Sequence, residues 1–143
     1  MRIEIDERIG ADHDEVRGLI LEGFRGVGRD AVEVHVVANR SRATFAGRAW
    51  PEPPRGRRLA DGGRFLVEIA MPRRPSEEGF PFTWRYPRMK TAPQLTARDW
   101  RERLFAVAAH EAYHVKQFRR GMRRSEVTAE RWAARSLDRL RAG

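Results

Sequence analysis

Segments in which apolar side chains recur at every second position predict four β-strands. They cover residues 2–5, 32–38, 41–50 and 64–71. The last of them is the most regular. One side of that strand carries Phe65, Val67, Ile69 and Met71. A loop rich in Pro, Arg and Gly, residues 51–63, separates the third strand from the fourth.

Helical spacing of apolar residues predicts three helices, of which two precede residue 121. The first helix begins at Asp12 or Asp14, because either side chain can cap a helix N-terminus. It ends between residues 23 and 27. The second helix is predicted over residues 97–120, where no Gly or Pro interrupts the chain. Thr96 and Asp99 are the candidate caps of this helix.

The order of the predicted elements indicates an α+β fold. A strand and a helix come first, followed by three strands, a long loop and two helices. This order favours a small sheet of three to four strands, antiparallel or mixed, packed on helices. A chain of 143 residues has the length of a single domain, so we expect residues 1–143 to form one unit.

The long loop between the last predicted strand and the second helix, residues 72–94, carries five of the eight prolines. It also contains four aromatic residues. They are Phe80, Phe82, Trp84 and Tyr86. Long loops inside a compact domain are often functional. The aromatic residues can cover the core or line a substrate site, and the sequence favours neither role over the other.

The second predicted helix contains the pattern HExxH at His110, Glu111 and His114. Residues four positions apart in an α-helix lie on one face, about 40° apart around its axis. Both imidazoles can therefore reach one metal ion. Glu111 is rotated by about 100° from His110, where a carboxylate can contact a metal-bound water. This spacing is typical of zinc hydrolases.

A catalytic zinc site normally has three protein ligands and one open position. The remaining histidines, His13 and His35, lie far upstream, and the chain has no cysteine. A carboxylate downstream is the natural third ligand. Ser125 is the candidate cap of a third helix that runs to about residue 140, and it places Glu126 and Glu130 on one helix face. Either carboxylate can reach the ion.

The combination of HEAYH with SEVTAERWAARSL resembles the gluzincins, a family of zinc peptidases, and in particular their minimal forms and small regulatory peptidases of phages and bacteria. The resemblance implies a zincin-like fold in which one Zn²⁺ is bound by His110, His114 and Glu126. It implies that Glu111 is the general base, and that Glu130 supports His110. The implied activity is hydrolysis of a peptide or protein substrate.

In zincins the edge strand of the sheet lies above the metal and binds the substrate backbone. By this resemblance we expect residues 64–71 to form the edge strand. A second group that stabilises the oxyanion is also expected. Tyr113, Tyr86 and Arg85 are candidates, and the sequence does not distinguish among them. His35 alternates with valines, which favours an ordinary position on the sheet surface over a catalytic one.

The formal net charge is +9, and Lys90 and Lys116 are the only lysines among 29 basic residues. Arginine runs can bind phosphates, so nucleic acid is a possible partner, although no nucleic-acid-binding motif is found. No apolar segment is long enough for a membrane span, and no secretory signal is recognised. We therefore expect a cytoplasmic protein, or a phage-encoded intracellular one, without membrane contacts.

Two other functions are compatible with the same residues. In the first, zinc only joins two helices, and the basic surface of a non-catalytic domain binds nucleic acid or a protein partner. The excess of arginine favours this hypothesis, but structural zinc usually has four protein ligands, which argues against it. In the second, the peptidase is regulatory and acts on one specific partner. No residue distinguishes that role from general proteolysis.

Overall fold

The computed structural model describes residues 1–39, 44–60 and 62–143. Nine elements follow one another along the chain. They are β1 (Arg2–Ile5), α1 (His13–Gly23), β2 (Val32–Asn39), β3 (Ala46–Trp50), β4 (Phe65–Pro72), β5 (Phe82–Trp84), β6 (Leu95–Ala97), α2 (Trp100–Arg119) and α3 (Glu126–Ala142). The predicted α+β class is confirmed, with three helices and a small mixed sheet.

The main sheet has four strands in the order β1-β2-β4-β3. β1 and β2 are parallel, as are β2 and β4, whereas β3 runs antiparallel to β4. Helix α1 connects β1 to β2, as parallel neighbours require a crossover connection. The third predicted strand, 41–50, begins only at Ala46, and residues 41–43 lie outside the described residues.

The prediction that residues 64–71 form the edge of the sheet is wrong. β4 is hydrogen-bonded on both sides, to β2 and to β3, and the edge strands are β1 and β3. The reason is visible in the burial of β4, where Phe65, Leu66 and Val67 are consecutive and all buried. A strand with apolar residues on both faces is typical of a central position.

The segment predicted as the long loop, 72–94, contains one short strand. β5 pairs antiparallel with β6, whose last residue, Ala97, was predicted as the first residue of the second helix. Helix α2 therefore begins at Trp100 rather than at residue 97. Its cap is Asp99, whose side chain accepts a hydrogen bond from the backbone N–H of Glu102.

The core lies between the main sheet and helices α1 and α2. Val34, Ile69 and Leu104 are examples of its fully buried side chains. A smaller apolar cluster, which includes Phe105 and Leu137, joins α2 to α3. Helix α2 is thus enclosed by the sheet on one side and by α3 on the other. Within the described residues, no helix is both long enough and apolar enough to cross a bilayer.

Candidate metal centre

Helix α2 buries the three motif residues completely. The exposed fractions are 3% for His110, 2% for Glu111 and 0% for His114. Buried ionisable side chains destabilise a fold unless other polar groups compensate for the lost water. The positions of these compensating groups define the site.

Helix α3 provides the facing carboxylates. Ser125 caps this helix by accepting a hydrogen bond from the backbone N–H of Thr128, so that Glu126 lies in its first turn. One oxygen of Glu126 lies 2.8 Å from Nε2 of His110, and the other lies 3.1 Å from Nε2 of His114. The two Nε2 atoms are themselves 3.1 Å apart. The five residues singled out in the sequence therefore meet where α2 and α3 pack together.

The opposite ring nitrogens have acceptors of their own. Nδ1 of His110 lies 2.8 Å from Oε1 of Glu130, and Nδ1 of His114 lies 2.8 Å from Oε1 of Gln117. An ionised carboxylate and an amide oxygen can only accept a hydrogen bond. Each Nδ1 therefore carries the proton, and in a neutral ring Nε2 then has a lone pair.

Lone pairs of both histidines and of Glu126 consequently point into one small space. The two Nε2 atoms are 3.1 Å apart and each lies within 3.1 Å of an oxygen of Glu126, so these acceptors repel one another unless a cation or a proton lies between them. A tetrahedral zinc ion with ligand distances of about 2.05 Å separates its ligand atoms by about 3.3 Å. The donor set of two imidazoles and a carboxylate, and its spacing, fit such an ion.

The pKa values of His110 and Glu126 also indicate that a positive charge is favoured at this centre. Burial lowers the pKa of His110, but hydrogen bonds to Glu126 and Glu130 outweigh this effect and raise it to about 9. Burial raises the pKa of Glu126, whereas hydrogen bonds from His110, His114 and Arg124 bring it well below its usual range. When no metal ion is bound, a second proton on His110 therefore provides the positive charge that Glu126 and Glu130 favour.

Glu111 differs from the other two carboxylates. Its Oε2 atom is buried and, among the described residues, has no hydrogen-bond partner. Its Oε1 atom is 3.9 Å from Nε2 of His110, too far for a hydrogen bond. Burial raises the pKa of Glu111, and the charges of the two histidines oppose that rise. A buried carboxylate oxygen without a partner, beside these potential metal ligands, is suited to accept a proton.

The edge strand β3 passes directly over the motif. A Cβ atom placed on Gly47 would lie 2.6 Å from Cγ of Glu111 and 2.8 Å from Cγ1 of Val107, so only glycine permits this approach. Arg124 fixes the far end of the same strand. Its side chain donates to the carbonyl oxygen of Ala49 and to Glu126. The strand and the third carboxylate are thereby linked.

A cavity of about 300 Å³ opens beside the centre. Residues from the start of β3, from 84–87 and from α2 line it, together with Glu130. The Tyr86 ring stacks on His110, and its hydroxyl lies 3.3 Å from Nε2 of that histidine. Burial raises the pKa of Tyr86, as do the nearby carboxylates, so the hydroxyl keeps its proton.

The aromatic residues of the 72–94 segment were expected to cover the core or to line a substrate site, and the structure shows both positions. Phe80 packs against the main core. Trp84 donates from Nε1 to Oε2 of Glu130, and Tyr86 contacts His110, so both belong to the cavity. Phe82 is 42% exposed. Tyr113, another candidate for stabilising an oxyanion, packs against Trp132 with the rings tilted by 33° and does not line the cavity.

Arg103 lines the same cavity and was not singled out in the sequence. Burial lowers the pKa of its guanidinium, and the charge of Glu130 opposes this effect. An arginine keeps its proton even so. The side chain thus places a positive charge in the cavity, two helical turns before His110.

A second group of potential ligands is formed by Glu4, Glu33 and His35 on β1 and β2. Arg57 donates to Nδ1 of His35, so Nε2 of the ring carries the proton and donates to Glu33, 3.0 Å away. Neither ring nitrogen has a free lone pair. The group is therefore a network of hydrogen bonds and ion pairs on the sheet, in keeping with the surface position expected for His35.

Comparisons with protein-family models, with curated proteins and with solved structures give no match to this chain.

Proposed function

We propose that this protein is a zinc-dependent metallopeptidase of the zincin type, with His110, His114 and Glu126 as the ligands of one Zn²⁺. The observation that carries the proposal is the convergence of three lone pairs on one space, with both Nδ1 atoms committed elsewhere. Three protein ligands leave an open position, which is typical of catalytic zinc and not of structural zinc.

An ion held by His110, His114 and Glu126 would supply a Lewis acid and would lower the pKa of a water molecule to about 7. Glu111 accepts the proton of the attacking water at its free Oε2 atom and transfers it to the departing amine. Glu130 holds the His110 ring through Nδ1 and keeps it in the tautomer that presents Nε2. Gln117 has the same function for His114.

Tyr86 is the best-placed residue to stabilise the oxyanion. Its hydroxyl remains protonated and is 3.3 Å from Nε2 of His110, so it can donate to an oxygen that develops negative charge there. Arg85 also lines the cavity but is exposed. Among the three candidates from the sequence, the geometry supports Tyr86.

The substrate backbone is proposed to bind along β3. In the described part of the sheet, β3 pairs with β4 on one side and with no strand on the other, where a substrate strand could add; the carbonyl oxygen of Ala49 in β3 already accepts from Arg124. An extended peptide added there would pass over Glu111, because Gly47 brings the strand into contact with that side chain. The antiparallel edge strand above the HExxH helix is the arrangement that supports a zincin-like fold.

A non-catalytic basic domain remains the competing proposal, and the net charge of +9 favours it. Glu111→Gln distinguishes the two. The zinc-loaded wild type should cleave an unfolded protein such as casein, with loss of activity in a chelator. The variant should keep its zinc and lose activity by about 10² to 10⁴-fold, because the general base is removed. The exposed Glu22→Gln variant is the charge-matched control.

Unchanged cleavage by Glu111→Gln would exclude the proposed mechanism. Salt-dependent DNA binding that survives removal of zinc, without proteolysis by the wild type, would favour the basic domain instead.

A further inference from the structure

The cavity beside the metal centre contains an arginine that the proposed chemistry does not use. Arg103 lies seven residues before His110 on α2, which places both on the same helix face two turns apart. Its guanidinium lies 4.0 Å from the centre of the Trp84 ring, against which it packs. The arginine is therefore held in place at the wall of the cavity.

Arg103 has few partners for a charge that is partly buried. Among the described residues, its only hydrogen bond runs from Nη2 to the carbonyl oxygen of Phe45, at 3.3 Å, and no carboxylate lies within 4.0 Å. Two other arginines of the helices have carboxylate partners. Arg101 pairs with Glu15, and Arg141 pairs with Glu102.

The carboxylate that could neutralise Arg103 is already engaged. Glu130 lines the same cavity, but one of its oxygens accepts from Trp84 and the other faces Nδ1 of His110. A guanidinium has five N–H donors in a planar arrangement that matches a carboxylate. Since Arg103 uses one donor on Phe45, it retains donors for an incoming acidic group.

We propose that Arg103 makes the cavity selective for a carboxylate of the substrate, so that the enzyme cleaves next to an acidic residue or next to a chain end. This inference rests on the proposed peptidase function and names its substrate class. A cavity of about 300 Å³ is at the lower end of the range for ligand sites, which suits one or two side chains. The net charge of +9 also attracts acidic polypeptides.

The first experiment defines the cleavage preference of the zinc-loaded protein with a randomised peptide library read by mass spectrometry. Matched peptides with Glu or Gln at the preferred position, with free or amidated C-termini, then separate a side-chain carboxylate from a terminal one. We expect kcat/KM to be about 10 to 100-fold higher for the carboxylate form, the range for hydrogen bonds to charged groups.

Arg103→Gln should reduce this ratio to below about twofold, whereas Arg85→Gln should preserve it. The second variant removes a positive charge from the same cavity and thus controls for general electrostatics. Arg103→Lys keeps the charge without the planar donors and should give an intermediate ratio. If Arg103 only anchored Phe45, its substitution would change the melting temperature but would not change the ratio of kcat/KM between the carboxylate peptide and its neutral counterpart. An unchanged ratio in folded Arg103→Gln or Arg103→Lys would overturn the proposal.

A binding measurement separates failure of this inference from failure of the peptidase proposal. Zinc-loaded Glu111→Gln is titrated with acetyl-glutamate amide, acetyl-glutamine amide and acetyl-glycine, with tryptophan fluorescence as the signal. If the Glu111→Gln protein binds one of the carboxylate ligands, and the added substitution Arg103→Gln abolishes that binding, the carboxylate site in the cavity is supported. This result would hold even if no peptide were cleaved. Cleavage without discrimination either between Glu and Gln or between free and amidated C-termini would leave the peptidase proposal intact and exclude the carboxylate site.

Discussion

At the scale of single residues, the centre depends on which nitrogen of each histidine ring carries the proton. Glu130 and Gln117 fix this choice by accepting from Nδ1. The sequence predicted the residue set because HExxH puts His110 and His114 on one helix face. It also placed Glu126 and Glu130 together, but which of them faces Nε2 depends on how α2 and α3 cross. That angle is a tertiary property without a local signal.

Other residues of the site show different limits of sequence reasoning. Gln117 lies three positions after His114, so the helical i, i+3 rule could have identified it. Arg124 contacts Glu126 and the β3 carbonyl of Ala49, a contact across 75 residues that no spacing rule predicts. Tyr86 was one of three candidates for the oxyanion, and only packing of the 84–87 segment selects it.

Gly47 allows a direct test of the contact between strand and motif. Gly47→Ala should destabilise the protein by about 1 to 3 kcal/mol, because the added methyl group would overlap Glu111 and Val107. Gly18→Ala is the control. Its Cβ would meet nothing within 4 Å on helix α1, and we expect a gain of about 0.5 to 1 kcal/mol. Urea unfolding measures both. Equal stability of Gly47→Ala and wild type would mean that β3 lies farther from α2.

At the scale of elements, the helices were predicted better than the sheet order. The caps Asp99 and Ser125 follow from local chemistry and are confirmed. The position of β4 was misjudged, although its run of consecutive buried residues is the pattern of a central strand. β3 has an uninformative sequence, AGRAW, with an exposed first half. Its role as the edge strand comes from tertiary pairing.

Ser125→Ala tests whether the start of α3 positions the proposed metal ligand Glu126. Loss of the cap should cost about 1 kcal/mol and should also weaken zinc binding several-fold, because Glu126 is the next residue. Asp12→Ala removes the cap of α1, which accepts from two backbone N–H groups, and should cost a similar amount without changing zinc affinity. Equal zinc affinity of both variants would argue against this positioning role.

At the scale of the whole molecule, an ion-pair cluster ties the start of α2 to the end of α3. Glu102 accepts two hydrogen bonds from Arg141 and is also paired with Arg98. Burial raises the pKa of Glu102, but these arginines outweigh burial and lower it to about 2. The pair joins residues 39 positions apart, so it fixes the arrangement of the two helices that carry the site.

A folded-state pKa below that of the unfolded chain makes the cluster sensitive to acid. Its stabilisation is complete above pH of about 4.5 and is lost as the pH falls toward 2. Glu102→Gln should cost up to about 3 kcal/mol at pH 7, and its difference from wild type should shrink through that window. Denaturant unfolding at several pH values measures the difference. A difference that is independent of pH would show that the carboxylate charge is not involved.

The most direct test of the whole account is a zinc titration of the metal-free protein, followed by metal analysis. The wild type should bind one zinc ion per chain. Glu126→Ala should lose a ligand and bind at least about 100-fold more weakly, whereas Glu130→Ala should lose about 10 to 100-fold by releasing His110. Glu22→Gln should bind as the wild type does. Wild-type protein that binds no zinc, or a Glu126→Ala variant with wild-type affinity, would contradict the convergence of His110, His114 and Glu126 on one ion.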